Sequence, residues 1–243
     1  MRTLVPENDR PARARLGPVL LCAATGWEAA PVARRLNLRQ SRADRFTGKV
    51  SGKEIALLKM GMGGEKAAAS LRSFGAQSGQ AMPDLVCSIG YCGALQPGIR
   101  PGELVADVQG AELDCVQAIR EAAATMGLPV HFGRILSSAL VLGPEEKARW
   151  GSARRAVAVD MESSSIRAWA EELQRPFLAL RVVFDELHDA LPARMPRDES
   201  LAEAARYAFG NILLWPQLAR LALRQGRCAK RLAAFLERLL ERL

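Results

Sequence analysis

The sequence predicts an α/β fold: a single-domain three-layer sandwich with a mixed, mainly parallel central sheet, plus a C-terminal amphipathic helix. Three observations carry this. Apolar strands alternate with helical segments along the chain, as in a sheet covered by helices. A unit of strand, glycine turn and helix recurs three times, each glycine turn standing where a strand is expected to end. No Gly, Ser or Pro linker interrupts the pattern, and 243 residues with 49% hydrophobic content suffice for one large core. The chain divides into a basic arm over residues 1–17, a globular domain over 18–210 and a basic helical tail over 211–243.

The first strand is Val19–Ala24, followed by Thr25-Gly-Trp-Glu28 and a helix from about Pro31 to Leu36. Proline suits the first helical position, which would leave Glu28 in the preceding loop; Thr25-x-x-Glu28 also fits a helix capping box. A hairpin-like region leads into the strand Glu54–Met60, the turn Gly61-Met-Gly-Gly64 and a helix over Glu65–Phe74. The third apolar strand, Asp84–Ile89, runs into Gly90-Tyr-Cys-Gly-Ala-Leu95. After a turn at Gly98–Gly102 come a strand at Glu103–Val108, a helix at Cys115–Met126, a strand at His131–Leu136 and a short strand at Ala156–Val159. Ile166, Trp169, Ala170 and Leu173 recur at i, i+3, i+4 and i+7, so 162–173 is a core-packing helix. Pro176 breaks it, and Phe177–Phe184 is an apolar run of the kind found in buried parallel strands. Ser200–Ala208 is expected to be helical, and Gln217 to the end forms a long amphipathic helix that Gly226 divides.

Chemistry concentrates around two carboxylates. Glu162 lies four residues before Ile166, which places it on the apolar face of its helix. Asp185 ends the apolar strand, at the carboxyl edge where open α/β sheets bind ligands. No turn fits G-x-x-x-x-G-K-[ST] or G-x-G-x-x-G, so neither a triphosphate loop nor a dinucleotide fingerprint is present. Cysteines 22, 87, 92, 115 and 228 form no C-x-x-C pair and no metal-ligand spacing, so they read as small buried side chains, and neither metal nor cofactor is expected.

Five segments in order carry a family resemblance: Ala24-Thr-Gly-Trp-Glu28, Leu57-Leu-Lys-Met-Gly-Met-Gly63, Ile89-Gly-Tyr-Cys-Gly-Ala-Leu95, Val159-Asp-Met-Glu162 and Arg181-Val-Val-Phe-Asp185. Over about residues 18–190 the chain resembles the nucleoside phosphorylase/nucleosidase superfamily. Asp160-Met-Glu-Ser163, the stretch Leu180–Pro192 and the tail Trp215–Ala222 are most similar to its hopanoid-associated nucleosidase, which removes adenine from adenosylhopane. The resemblance implies cleavage of an N-glycosidic bond through an oxocarbenium-like sugar cation. It implies Asp185 as the general acid for purine N7, with Phe184 and its neighbours raising the acid's pKa. Glu28 would activate water, Glu162 would accept from the ribose hydroxyls and Met161 would pack on the sugar. Gly90, Tyr91, Cys92 and Gly93 would line base and sugar, and Leu142 and Phe184 would add apolar contacts. Arg181 reads as a structural ion-pair partner, and His131 and His188 carry no role.

Phosphorylases of this superfamily hold an anion with a Gly-x-Pro-x-Arg loop and an Arg before the third glycine turn. Here those places hold Ala24–Glu28 and Val86-Cys-Ser88; without a phosphate clamp, and with a carboxylate in the loop, hydrolysis is expected. Gln109–Gln117 lacks the aromatic-and-His stretch of methylthioadenosine nucleosidases, and Ser137–Leu142 offers aliphatic contacts but no aromatic platform. Both departures suit a bulky 5′ substituent.

The net charge of +8 is uneven: Gln217–Leu243 has seven Arg/Lys against two Glu. Leu232, Phe235, Leu236, Leu239, Leu240 and Leu243 form one apolar stripe in that segment. Such a helix can lie on an anionic membrane surface or pack on the domain or a second subunit, and both readings stand. Nucleic acid is not expected, because the tail has one aromatic residue after Trp215 and no stacking platform. No run approaches a membrane span, and Arg2 to Arg15 before Val19–Ala24 mimic a secretion signal without a good cleavage site. A cytoplasmic enzyme, peripheral at most, is the expectation, and the superfamily's habit of oligomerising points to a homo-oligomer.

Overall fold

Every residue of β1 (Val19–Ala23) is buried. Val19, Leu21 and Ala23 face one core while Leu20 and Cys22 face another, as in a strand covered on both sides. The computed structural model describes residues 16–76, 82–108, 113–192 and 214–243. Residues 1–15 of the basic arm and the helix expected over Ser200–Ala208 lie outside the described residues.

After β1 come α1 (Gly26–Arg35), β2 (Arg39–Arg42), β3 (Arg45–Val50), β4 (Lys53–Lys59), α2 (Gly64–Gly75), β5 (Leu85–Ala94) and β6 (Leu104–Asp107). The chain continues through α3 (Leu113–Ala124), β7 (Val130–Phe132), β8 (Ile135–Ser137), α4 (Pro144–Arg154), β9 (Ala158–Asp160), α5 (Ser163–Glu172), β10 (Phe177–Asp185) and α6 (Trp215–Leu240). The sheet runs β2-β3-β4-β1-β5-β10-β6-β7, with β9 joining β5 and β8 joining β9. Its centre, β4-β1-β5-β10, is parallel, while β2, β3, β6 and β9 meet neighbours antiparallel. Helices α1, α3 and α6 cover one face and α2 and α5 the other. The predicted three-layer sandwich with a mixed, mainly parallel sheet is the observed fold.

Four local expectations are overturned. Helix α1 starts at Gly26 rather than Pro31, capped by Thr25. Pro31 removes one backbone bond, to the carbonyl of Trp27 on the helix's solvent face. Gly90–Gly93 is not a turn but the continuation of β5, paired with β10 through Asp185↔Gly93. The span His131–Leu136 splits into β7, which follows β6, and β8, which changes partner to β9. At the break, a side chain on Gly133 would lie 2.7 Å from Val157. Gly226 does not divide the last helix, since α6 is continuous through it.

Helix α6 also decides what its apolar stripe does. Cys228, Leu232, Phe235, Leu236, Leu239 and Leu240 are buried in the same core as β1, α1 and α3. Lys53 Nζ donates to Leu240 O at 3.1 Å, and Arg35 pairs with Glu237 at 2.7 Å, fixing the helix end against β4 and α1. This part of the stripe packs on the domain rather than lying open to a membrane. None of the described helices is long and apolar enough to cross one.

Candidate active site

The parallel arrangement brings the ends of β1, β4, β5 and β10 to one edge. Ala23 pairs with both Lys59 and Ile89, and Asp185 with Gly93. At this edge lie Glu28 in the first turn of α1, which follows β1, and Asp185, the last residue of β10.

Glu28 is the third residue of α1 and is buried. Its Oε2 accepts from Ala24 N at 3.1 Å, Thr25 N at 2.9 Å and Thr25 Oγ1 at 3.1 Å. Its Oε1 accepts from Tyr91 N at 3.1 Å. The capping box forms through one oxygen, while the other faces β5. Burial pushes the Glu28 pKa up, while the Arg181 guanidinium and the bonds from Thr25 and Tyr91 pull part of that rise back. Gly90 makes the approach of Glu28 to β5 possible. Its φ is 146°, and a Cβ there would lie 2.3 Å from Glu28 Oε1.

Glu162 is the N-cap of α5, yet it makes no side-chain cap to its own helix. Its Oε1 instead accepts from Gly63 N at 2.7 Å, across to the loop after β4. That loop can approach because a Cβ on Gly64 would lie 2.7 Å from Ser165 Oγ. Burial and the neighbouring Asp160 carboxylate push Glu162 from 4.5 to about 7, against the opposing Gly63 N–H and Arg181. Beneath these carboxylates sits Arg181. It donates to Asp160 Oδ2 at 2.7 Å through Nη2 and at 3.1 Å through Nε, and its Nη2 also reaches Ser88 Oγ at 2.6 Å and Ser163 Oγ at 2.9 Å. It forms a buried ion pair with Asp160, the structural partnership expected of it. Its charge also acts on Glu28, Glu162 and Cys92.

Asp185 ends β10, buried over Gly93, where a Cβ would lie 3.0 Å from Asp185 Oδ2. Burial pushes its pKa up, as its apolar neighbours suggest, but Lys147 opposes the rise. The Lys147 ammonium is paired directly with Asp185 Oδ2. Nothing in the sequence reading anticipated it, because α4 itself was not anticipated.

Asp160, Glu162 and Glu28 thus surround Arg181, and Asp185, paired with Lys147, ends the same strand, in the order of the five segments that carry the resemblance. Residues 18–107 and 110–212 match the phosphorylase superfamily. The chain belongs to that superfamily. Among curated proteins it is similar to the 5′-methylthioadenosine/S-adenosylhomocysteine nucleosidase of Haemophilus influenzae (strain 86-028NP), 27% identical over 63% of this chain and 77% of that one. Among solved structures, the Campylobacter jejuni 5′-methylthioadenosine/S-adenosylhomocysteine nucleosidase superposes with a TM-score of 0.68 at 16% identity, covering 93% of this chain and 99% of that one. The futalosine hydrolase of Helicobacter pylori gives 0.68 at 17% identity, covering 94% and 99%. At these identities the structural likeness speaks for the fold.

Met161 lies half-buried between Asp160 and Glu162, with its carbonyl against Gly64. Tyr91 and Phe184 stack at 5.9 Å on the face covered by α1 and α6, the face that carries Glu28, and the Tyr91 backbone N–H donates to Glu28 Oε1. Cys92 is buried toward the opposite core. Leu142 packs in a small cluster with Leu95, Leu136, Ala156 and Val159. The apolar side chains that the same loop leaves open are Leu140, 62% exposed, and Val141, 57% exposed.

Proposed function

We propose that this protein hydrolyses the N-glycosidic bond of a purine nucleoside. The hopanoid resemblance favours adenosylhopane, cleaved to ribosylhopane and adenine. One observation carries the hydrolytic reading. The backbone N–H groups of Ala24 and Thr25, in the turn leading into α1 where an anion would otherwise dock, already donate to Glu28. A second negative charge from phosphate would be repelled there, whereas a buried carboxylate of raised pKa is suited to take a proton from water. The names of the relatives, nucleosidase and hydrolase, support the same choice.

In this reading Asp185 gives its proton to the departing base as the C1′–N bond breaks. Glu162, anchored by Gly63, accepts from the ribose hydroxyls, and Glu28 takes a proton from the water whose oxygen bonds to C1′. Asp185 loses one proton to the base and Glu28 gains one from water, so the net charge of the site is unchanged, and passing the proton from Glu28 to Asp185 through solvent restores the starting state. A substrate held in a membrane would meet the first turns of α6, where Trp215 and Leu223 stand exposed in the same helix as exposed Arg220 and Arg227.

The test is adenine release from adenosylhopane, methylthioadenosine and inosine, each with and without phosphate. Release from the hopanoid alone, independent of phosphate, is the expected result. A phosphate requirement would overturn the hydrolytic reading, and release from methylthioadenosine alone would overturn the hopanoid one. Equal flotation on anionic vesicles of the full chain and of a Trp215→Ser, Leu223→Ser variant would remove the membrane contact.

A further inference from the structure

Lys147 is 1% exposed, one of the largest fully buried side chains among the described residues. A buried ammonium is costly unless every proton is bonded and its charge paired. Here all three protons are engaged: Nζ donates to Asp185 Oδ2, to Glu186 O at 2.7 Å and to Asp189 O at 3.2 Å. A neutral amine has two protons for three acceptors, so the arrangement is built for the charged form.

The helix is placed to deliver this charge. Gly151 follows Lys147 by four residues, on the same face of α4. A Cβ on Gly151 would lie 2.1 Å from Leu95 O, so α4 sits directly against the end of β5. One turn earlier, the same close approach lays the lysine stem over Gly93, where a Cβ would be 3.4 Å from Lys147 Cε. A second cation grips the loop from the other side. Arg224 of α6 donates to Phe184 O at 2.9 Å and to Asp189 Oδ2 at 2.7 Å.

We propose that Lys147 is a positioning residue for the acid: it fixes the Asp185 carboxylate at the end of β10 and sets the pH at which that acid gives up its proton. This rests on the reading of Asp185 as the group that protonates the base. The groups facing Asp185 are Lys147 from α4, Asp189 of the following loop, Arg224 from α6 and the buried Cys92 thiol of β5. Lys147 is the cation that touches it. A general acid works while protonated, so kcat falls as pH rises through its pKa. An adjacent positive charge lowers that pKa, and its removal raises it.

The experiment is the pH profile of kcat for the full-length wild type, Lys147→Met, Lys147→Gln and Asp185→Asn, with whichever of adenosylhopane, methylthioadenosine and inosine the wild type cleaves fastest, and circular dichroism to confirm folding. Both lysine variants should carry the alkaline limb upward by about 1–3 pH units. Lys147→Gln, which keeps a polar donor without the charge, serves for the profile if methionine unfolds the chain. A folded lysine variant whose kcat drops equally at every pH, its alkaline limb unmoved, would overturn the proposal and leave Lys147 a structural tie. Activity that survives in Asp185→Asn would instead remove the reading on which it rests.

Discussion

Glu162→Gln should make this protein more stable while disabling it, and the gain should depend on pH. Burial first, and Asp160 second, raise the Glu162 pKa from 4.5 to about 7 in the folded chain. A carboxyl whose folded pKa lies above its unfolded one supports the fold fully at low pH and loses that support as pH rises through the folded value. At ~1.4 kcal/mol per pKa unit, the ionised side chain penalises the native state by about 3 kcal/mol above pH 8 and by about 1 kcal/mol near pH 5. Glutamine carries no such charge, and its Oε1 can still accept from Gly63 N. The variant should therefore outlast the wild type in urea by about 1 kcal/mol at pH 5 and about 3 kcal/mol at pH 8.5. In thermal melts the difference at the higher pH corresponds to about 6–12 °C for a chain of this size. Activity should fall about tenfold to a hundredfold for each ribose hydroxyl that loses a charged acceptor. A stability difference that is flat with pH, or a variant less stable at pH 8.5, would refute the placement of an ionisable, desolvated carboxylate at this position.

Other expectations follow from the same geometry. Glu28→Gln must turn its amide nitrogen toward either Tyr91 N–H or the Ala24–Thr25 donors, leaving donors facing one another, so it should lose about 1–3 kcal/mol in urea denaturation as well as its activity. A stable, active Glu28→Gln would contradict both roles. Gly90→Ala puts a methyl 2.3 Å from Glu28 Oε1 on backbone at φ 146°, so it should displace the carboxylate and abolish turnover. An active Gly90→Ala enzyme would mean that Glu28 need not sit against β5.

What the sequence made legible depended on where the apolar residues lay. β10 and α5 announce themselves because their buried faces are made of Phe, Leu, Val, Ile and Trp in the right period, and Glu162 and Asp185 were found as the polar exceptions at their ends. Helix α4 was hidden for the opposite reason: its buried residues are Lys147 and Gly151, which no hydrophobic stripe reveals. The signals available were Pro144 at the first helical turn and Glu146 reaching back to Gly143 N at 3.0 Å, a helix start with no apolar face behind it. The glycines of β5 suggested a turn but instead thin the strand where Glu28 and Asp185 press against it. The period of the tail indicates a helix but carries no information about what covers it, and much of the stripe is covered by the domain's own core.

The most direct test of the central claim is cleavage of the nucleoside in ¹⁸O-labelled water with inorganic phosphate present, followed by mass spectrometry of the released sugar. Hydrolysis at a site where Glu28 fills the anion position predicts one labelled oxygen at C1 and no sugar phosphate. A 1-phosphorylated sugar without the label would contradict it.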